Sequence, residues 1–309
     1  MTHPPLRIVV IGSSTAAGVG AEPEGLAWVN LYRTFLQTLN PANEVINLGL
    51  GGLQTFHFLP TGHKPPSARP LPDPERNITR ALALRPDAVI VNAPSNDAAA
   101  NYGPDEQLAN FDLMLKTGLA AGIPVWICTT QPRRFNPDQV RIQTDLKDAI
   151  LERYGPLAIN VWDCIATPEG FPHADSDCGD GAHLSNIGHQ LLFEQIKNQD
   201  LPAALTRAQG RPDYWAQQLG YLAEDILSAP QVATAEAHST PKPRLGKPFN
   251  PVFLHQLLAL PRLFRLPNLA IVFLSQWLPY WYVLRPAILK AGGIPVLNER
   301  IFGLIAAAT

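Results

Sequence analysis

Hydrophobic and polar positions follow two rhythms over the first 200 residues. Short β-branched runs occur at Arg7–Ile11, Glu44–Leu48, Ala88–Asn92, Pro124–Thr129 and Ala158–Trp162. Between them apolar residues recur at helical spacing: Trp28, Leu31, Tyr32, Phe35 and Leu39; then Leu108, Phe111, Leu115 and Leu119; then Ile142, Leu146 and Ile150. A last helix is expected over Asn186–Asn198. Alternating strands and helices, with strands that are apolar throughout, predict an α/β fold whose parallel sheet is covered on both faces. Sites in such folds lie at the carboxyl ends of the strands.

Two stretches break this pattern. Leu59–Pro74 holds six prolines, which leave no room for a regular element and predict a long stiff loop, either a functional cover or an insertion. After Ala204 the periodicity weakens. Trp215, Leu219, Leu222 and Ile226 suggest a short helix, and Gln231–Pro251 is a Pro, Ala, Ser and Thr mixture typical of a linker. The expected organisation is a catalytic-type domain over 1–205, a linker over 206–251 and an apolar segment over 252–309.

That last segment contains nineteen uncharged residues, 266–284, enough to cross a bilayer. Asn268, Ser275, Gln276 and two prolines weaken the span, whereas the Trp/Tyr cluster near its end suits a membrane interface. A buried core helix is the competing reading. Five positive charges precede the span (Lys242, Arg244, Lys247, Arg262, Arg265) and three follow it (Arg285, Lys290, Arg300). This bias predicts an N-terminal domain in the cytoplasm, tethered to the inner face of a membrane. The run IFGLIAAAT at the end has the character of a second span cut short.

Composition narrows the choice of partners. Lys plus Arg number 24 and Asp plus Glu 26, so no basic excess invites nucleic acid. Three scattered cysteines, Cys128, Cys164 and Cys178, form neither a disulfide framework nor a Cys-x-x-Cys metal site. Free thiols in a reducing compartment are expected. The start, MTHPPLRIVVIG, lacks the long apolar region of a secretory signal and predicts a first strand made in the cytoplasm.

Candidate chemistry falls at strand ends. The first strand runs into Gly12-Ser13-Ser14-Thr15, a strand-to-helix turn able to present a serine to solvent. A phosphate-binding turn is the natural competitor there, although the lysine of a P-loop is missing and Gly18-x-Gly20 is not a dinucleotide fingerprint. The second strand ends near Gly49-Leu50-Gly51-Gly52, either a plain tight turn or a close backbone approach to a ligand. The third ends in Ser95-Asn96-Asp97, where Asn96 is an Asx-turn residue or a hydrogen-bond donor into the cleft. Finally, Asp180-Gly-Ala-His183 places an acid three residues before a histidine, in a loop ahead of a helix. A carboxylate so placed can orient an imidazole and stabilise its cation.

Metal readings fit poorly. From Asp175, the positions a calcium loop needs hold Gly179 and Asn186, and His173, His183 and His189 lack zinc-site spacing. Each strand-end signal is weak alone. Together they supply a nucleophile, a base, an orienting acid and oxyanion donors, the parts needed for acyl transfer.

The set Gly12-Ser13-Ser14, Gly52, Asn96 and Asp180-x-x-His183 resembles the four motif blocks of the SGNH (GDSL-like) hydrolases, in order, over about residues 5–200. The resemblance implies a flavodoxin-like three-layer α/β/α fold and a serine esterase acting on small-molecule esters without a metal or other cofactor. It implies Ser14 as nucleophile, His183 as base and Asp180 as orienting acid. The N–H groups of Ser14 and Gly52 and the Asn96 side chain would form the oxyanion hole. Two departures are visible: Gly-Ser-Ser replaces the family's Gly-Asp-Ser, and Pro94-Ser95 replaces its Gly-Gly. Short acyl groups, such as acetyl on a sugar, are the expected substrates. Arg262–Leu284 is similar to the first transmembrane helix of UbiA-type prenyltransferases, without their Asp-rich motifs. The rival readings are a non-catalytic SGNH-like binding module and a passenger domain of a truncated membrane prenyltransferase. Oligomeric state is not legible.

Overall fold

The computed structural model describes residues 4–220, Pro212 excepted. Five parallel strands form one sheet in the order β2-β1-β3-β4-β5: β1 Arg7–Gly12, β2 Glu44–Asn47, β3 Ala88–Asn92, β4 Val125–Cys128 and β5 Ala158–Ile159. The helices are α1 Ser14–Ala17, α2 Trp28–Leu39, α3 Ile78–Ala83, α4 Asn96–Ala99 and α5 Pro104–Ala120, then α6 Pro137–Tyr154, α7 Asn186–Asn198, α8 Leu201–Ala208 and α9 Tyr214–Gln218. Helix α2 packs on α7, while α5 packs on α6 and α3. This strand order is that of a flavodoxin-like sheet, with its topological switch point between β1 and β3.

The sheet forms where the sequence is apolar on both strand faces. Ile8, Val9, Val10 and Ile11 of β1 are fully buried, as are Ala88 to Val91 of β3. A two-sided hydrophobic strand is stable only between two layers. Edge strand β2 is less covered, and Glu44 there pairs with Arg7 at 2.6 Å. Local chemistry fixes the helix starts: Asn136 accepts from Gln139 N at 3.0 Å ahead of α6, and Ser185 accepts from Gly188 N at 3.3 Å ahead of α7. Proline occupies the first turn of both α5 and α6, where its missing N–H costs nothing.

Three strands, β2, β4 and β5, end earlier than their apolar runs suggest, and in β2 and β5 an asparagine turns the chain. Asn160 Oδ1 accepts from Trp162 N and Asp163 N at 3.1 and 3.2 Å, and Asn47 Oδ1 accepts from Gly49 N at 2.9 Å. The proline-rich loop is tied to its surroundings. Arg69 makes a bidentate pair with Glu106 of α5, both bonds 2.8 Å, and lies 3.9 Å over the Tyr102 ring. Short helix α3, hidden behind the prolines, starts where Asn77 accepts from Arg80 N at 2.9 Å.

The boundary expected at 205 falls inside α8, whose Leu201 and Ala204 are buried. Beyond it, Trp215 of α9 meets Trp126 of β4 edge to face at 5.0 Å. Packing therefore continues past the point where periodicity fades. Most of the expected linker, and all of the 252–309 segment with its candidate span 266–284, lie outside the described residues. Among the described residues no helix is long and apolar enough to cross a membrane.

Candidate active site

At the carboxyl end of β1, Gly12 must be glycine, since a Cβ there would lie 2.5 Å from Ala16 Cβ. The chain then bends through buried Ser13 into the single turn of α1, which Ser14 begins, half-buried. Gly18, with φ +89°, ends that turn. The loop leaving β2 lies against it: Asn47 Nδ2 donates to Ala16 O at 2.7 Å. A Cβ on Gly51 would sit 3.8 Å from Ser14 Cβ, so this loop flanks the serine. Gly52 is exposed and has φ +84°, a conformation that favours glycine.

From β3, Asn96 reaches across the switch point. Its Nδ2 donates to Ser13 Oγ at 2.8 Å and to Leu53 O at 2.9 Å, so it binds the first two loops together. Its Oδ1 faces Arg133 Nη1 at 3.4 Å. The next residue, Asp97, is fully buried and receives Thr55 Oγ1 at 2.5 Å and Thr55 N at 3.1 Å. Burial pushes its carboxyl up to about 7, against the pull of the Thr55 hydrogen bonds.

The loop before α7 carries the acid and the histidine. Asp180 Oδ2 lies 2.6 Å from His183 Nδ1, while Oδ1 accepts from the N–H groups of Ala182 and His183, each at 2.8 Å. Burial opposes ionisation of Asp180, yet the His183 side chain and the two backbone donors outweigh it and hold the carboxyl below its usual range. Asp177 braces the same loop by accepting from Gly179 N and Gly181 N at 2.8 and 3.0 Å.

Three contacts clamp this loop to the turn after Ser14. A Cβ on Gly20 would lie 2.1 Å from Leu184 O, so the backbones touch. Glu22 and Asn186 exchange two hydrogen bonds, 2.8 and 2.7 Å. Fully buried His189 accepts from Trp28 N at 3.4 Å through Nδ1, which leaves Nε2–H to donate to Val19 O at 3.2 Å. Burial lowers its pKa, consistent with that neutral tautomer. No hydrogen bond joins Ser14 Oγ to His183 among the described residues, and such bonds are often long before substrate binds.

The structure thus joins Asp180 to His183 directly, Asn96 to Ser13 rather than to Ser14, and the Gly52 loop to the Ser14 turn. Asp97, Arg133 and the structural part of His189 were not singled out by spacing, because their partners are far away in sequence. Asp177, Cys178 and Asp180 each bring a potential metal-ligand atom within 4.8 Å of the others. An ion there would compete with His183 for the Asp180 carboxylate.

Fold and site define a doubly wound α/β domain with its polar loops at the switch point, the architecture in which ligands meet the carboxyl ends of the strands. The model of the GDSL-like lipase/acylhydrolase family matches residues 10–191, and the chain belongs to that family. Solved structures similar to it include a GDSL-like lipase from Bacteroides thetaiotaomicron, at 21% identity over 65% of this chain and 88% of that one, TM-score 0.46. A psychrotrophic esterase from Pseudoalteromonas sp. is similar at 16% identity over 64% and 98%, TM-score 0.46. A catalytic mutant of an acetylxylan esterase from Geobacillus stearothermophilus is similar at 18% identity over 64% and 96%, TM-score 0.46. A search of curated proteins finds no match.

Proposed function

We propose that this chain hydrolyses carboxylic esters through an acyl-enzyme on Ser14. The observation that carries the reading is the 2.6 Å contact between Asp180 Oδ2 and His183 Nδ1, on a loop clamped to the turn that follows Ser14. An imidazole held at Nδ1 by a carboxylate keeps Nε2 available as a base.

In the proposed cycle Ser14 Oγ attacks the ester carbonyl and His183 takes its proton. The oxyanion is held by the N–H groups of Ser14 and Gly52 and by Asn96 Nδ2. His183 then protonates the leaving alcohol. Water attacks the acyl-enzyme with His183 as base, and His183 then returns the proton to Ser14 Oγ as the carboxylic acid leaves. Asn96 Nδ2 already donates to Ser13 Oγ, so an incoming oxyanion takes over that bond while the Ser13 hydroxyl turns away. No step uses a metal, and short acyl groups such as acetyl are the first substrates to try.

The test is hydrolysis of p-nitrophenyl acetate, butyrate and octanoate by the full chain, with fluorophosphonate labelling of Ser14. Turnover and labelling that both vanish in Ser14→Ala support the reading. A folded chain that neither turns over nor labels rejects it in favour of a non-catalytic binding module.

A further inference from the structure

The loop leaving β4 runs Thr129-Thr130-Gln131-Pro132-Arg133-Arg134 and is fixed at both ends. Gln143 of α6 donates to Thr130 Oγ1 and Gln131 O at 3.2 and 3.0 Å. Arg134 N donates to Gly181 O at 2.7 Å, which ties the other end to the loop that carries Asp180 and His183. Arg133 therefore stands between the histidine loop and Asn96, on a backbone with little freedom to move.

Arg133 is a half-buried residue whose guanidinium has one contact to Asn96 Oδ1 at 3.4 Å and one face 4.9 Å from the Phe135 ring. A guanidinium has five N–H donors, so most of this one's hydrogen-bonding capacity is unspent. Among the described residues no carboxylate lies within 4.0 Å of it. Its neighbour Arg134, by contrast, meets Asp177 at 3.5 Å, and Arg69 meets Glu106 at 2.8 Å. A half-buried arginine without an anion partner has N–H donors that an anionic ligand can satisfy. The planar fork matches the two oxygens of a carboxylate.

We propose that Arg133 binds a carboxylate on the substrate, so that the preferred esters are anionic. The proposal rests on the ester-hydrolase reading: an ester bonded to Asn96 Nδ2 lies beside the same amide whose Oδ1 touches Arg133. The free N–H groups then reach a carboxylate on either the acyl or the alcohol part.

The test compares matched esters, 4-acetoxybenzoate against 4-acetoxybenzamide and monomethyl succinate against methyl butyrate, with the parent chain, Arg133→Gln and Arg133→Lys. In at least one pair Arg133→Gln should lower kcat/KM for the anionic member by about 10- to 100-fold, mainly through KM, and change the neutral member by less than about 3-fold. Arg133→Lys should recover part of the loss. Equal losses on both members through kcat would mean that Arg133 only positions Asn96, and no loss on either would mean that it is idle; both overturn the proposal. Binding is read separately in the full-length Ser14→Ala chain with 4-hydroxybenzoate and 4-hydroxybenzamide. Tighter binding of the benzoate, abolished by Arg133→Gln, supports the anion site even if no ester is hydrolysed. Equal binding of the two, together with no Arg133-dependent preference for the anionic member of either ester pair, overturns it.

Discussion

Asn96 Nδ2 and Ser13 Oγ lie 2.8 Å apart although 83 residues separate them in the chain. The hydroxyl occupies an acceptor position that the proposed mechanism assigns to the developing oxyanion. Ser13→Ala removes this competitor, so turnover should stay within about 3-fold of the parent while stability falls by about 1 kcal/mol. Asn96→Ala removes the donor itself and should cost roughly 10²–10³ in kcat. Steady-state kinetics on p-nitrophenyl acetate separates the two, and a Ser13→Ala loss as large as that of Asn96→Ala would show the mechanism wrong at this point.

Asp180 and His183 should behave as a unit with Ser14. Ser14→Ala and His183→Ala should each lower turnover by up to about 10⁶, and the double variant should lose little more than either alone. Asp180→Asn keeps the shape but not the charge, and should cost less, about 10⁴. Near-parental turnover in Ser14→Ala would move the nucleophile elsewhere.

Asp97 predicts a pH dependence of stability. Its carboxyl is raised from the ordinary aspartate range to about 7, chiefly by burial. The folded state thus favours the protonated form, and the stability linked to that proton is fully present below about pH 4 and lost as pH rises through about 7. Asp97→Asn cannot ionise. Its stability relative to the parent should improve by roughly 2–4 kcal/mol between pH 4 and pH 8. Urea midpoints at the two pH values measure this, and an unchanged difference would show that folding does not raise the Asp97 pKa.

Gly20 tests the clamp between the serine turn and the histidine loop. A methyl group there meets Leu184 O at 2.1 Å, at a φ of +95°. Gly20→Ala should destabilise by about 2–4 kcal/mol and reduce turnover with it. Gly51→Ala is the control: its added Cβ would make an ordinary 3.8 Å contact with Ser14 Cβ, and stability should change by less than about 1 kcal/mol. Thermal melts of both variants give the comparison, and equal melting points would remove the clamp from the account.

Much of the fold was legible because β1, β3 and β4 are buried on both faces and so are apolar throughout. Strand ends were less so, since Asn47 and Asn160 stop pairing with side-chain bonds that periodicity does not register. Helix α3 was missed because only six residues, Ile78–Ala83, follow a dense run of prolines. In the site, Asp180 and His183 could be found from spacing because they are three residues apart and their bond is local. Asp97 and His189 could not: Thr55 is 42 residues from the first, and Val19 is 170 from the second. Arg133 sits in a stretch with no pattern of its own and acquires meaning only from Asn96, 37 residues away.

The edge-to-face pair of Trp126 and Trp215, 5.0 Å apart at 72°, is also an optical reporter. Two indoles that close couple their strong short-wavelength transitions, giving a far-ultraviolet circular-dichroism couplet that neither ring produces alone. A fragment cut at 205 lacks Trp215, so it loses this signal and uncovers the outer side of Trp126 on β4. A piece that keeps this packing therefore runs through α9, and the indole couplet tells whether α9 has docked.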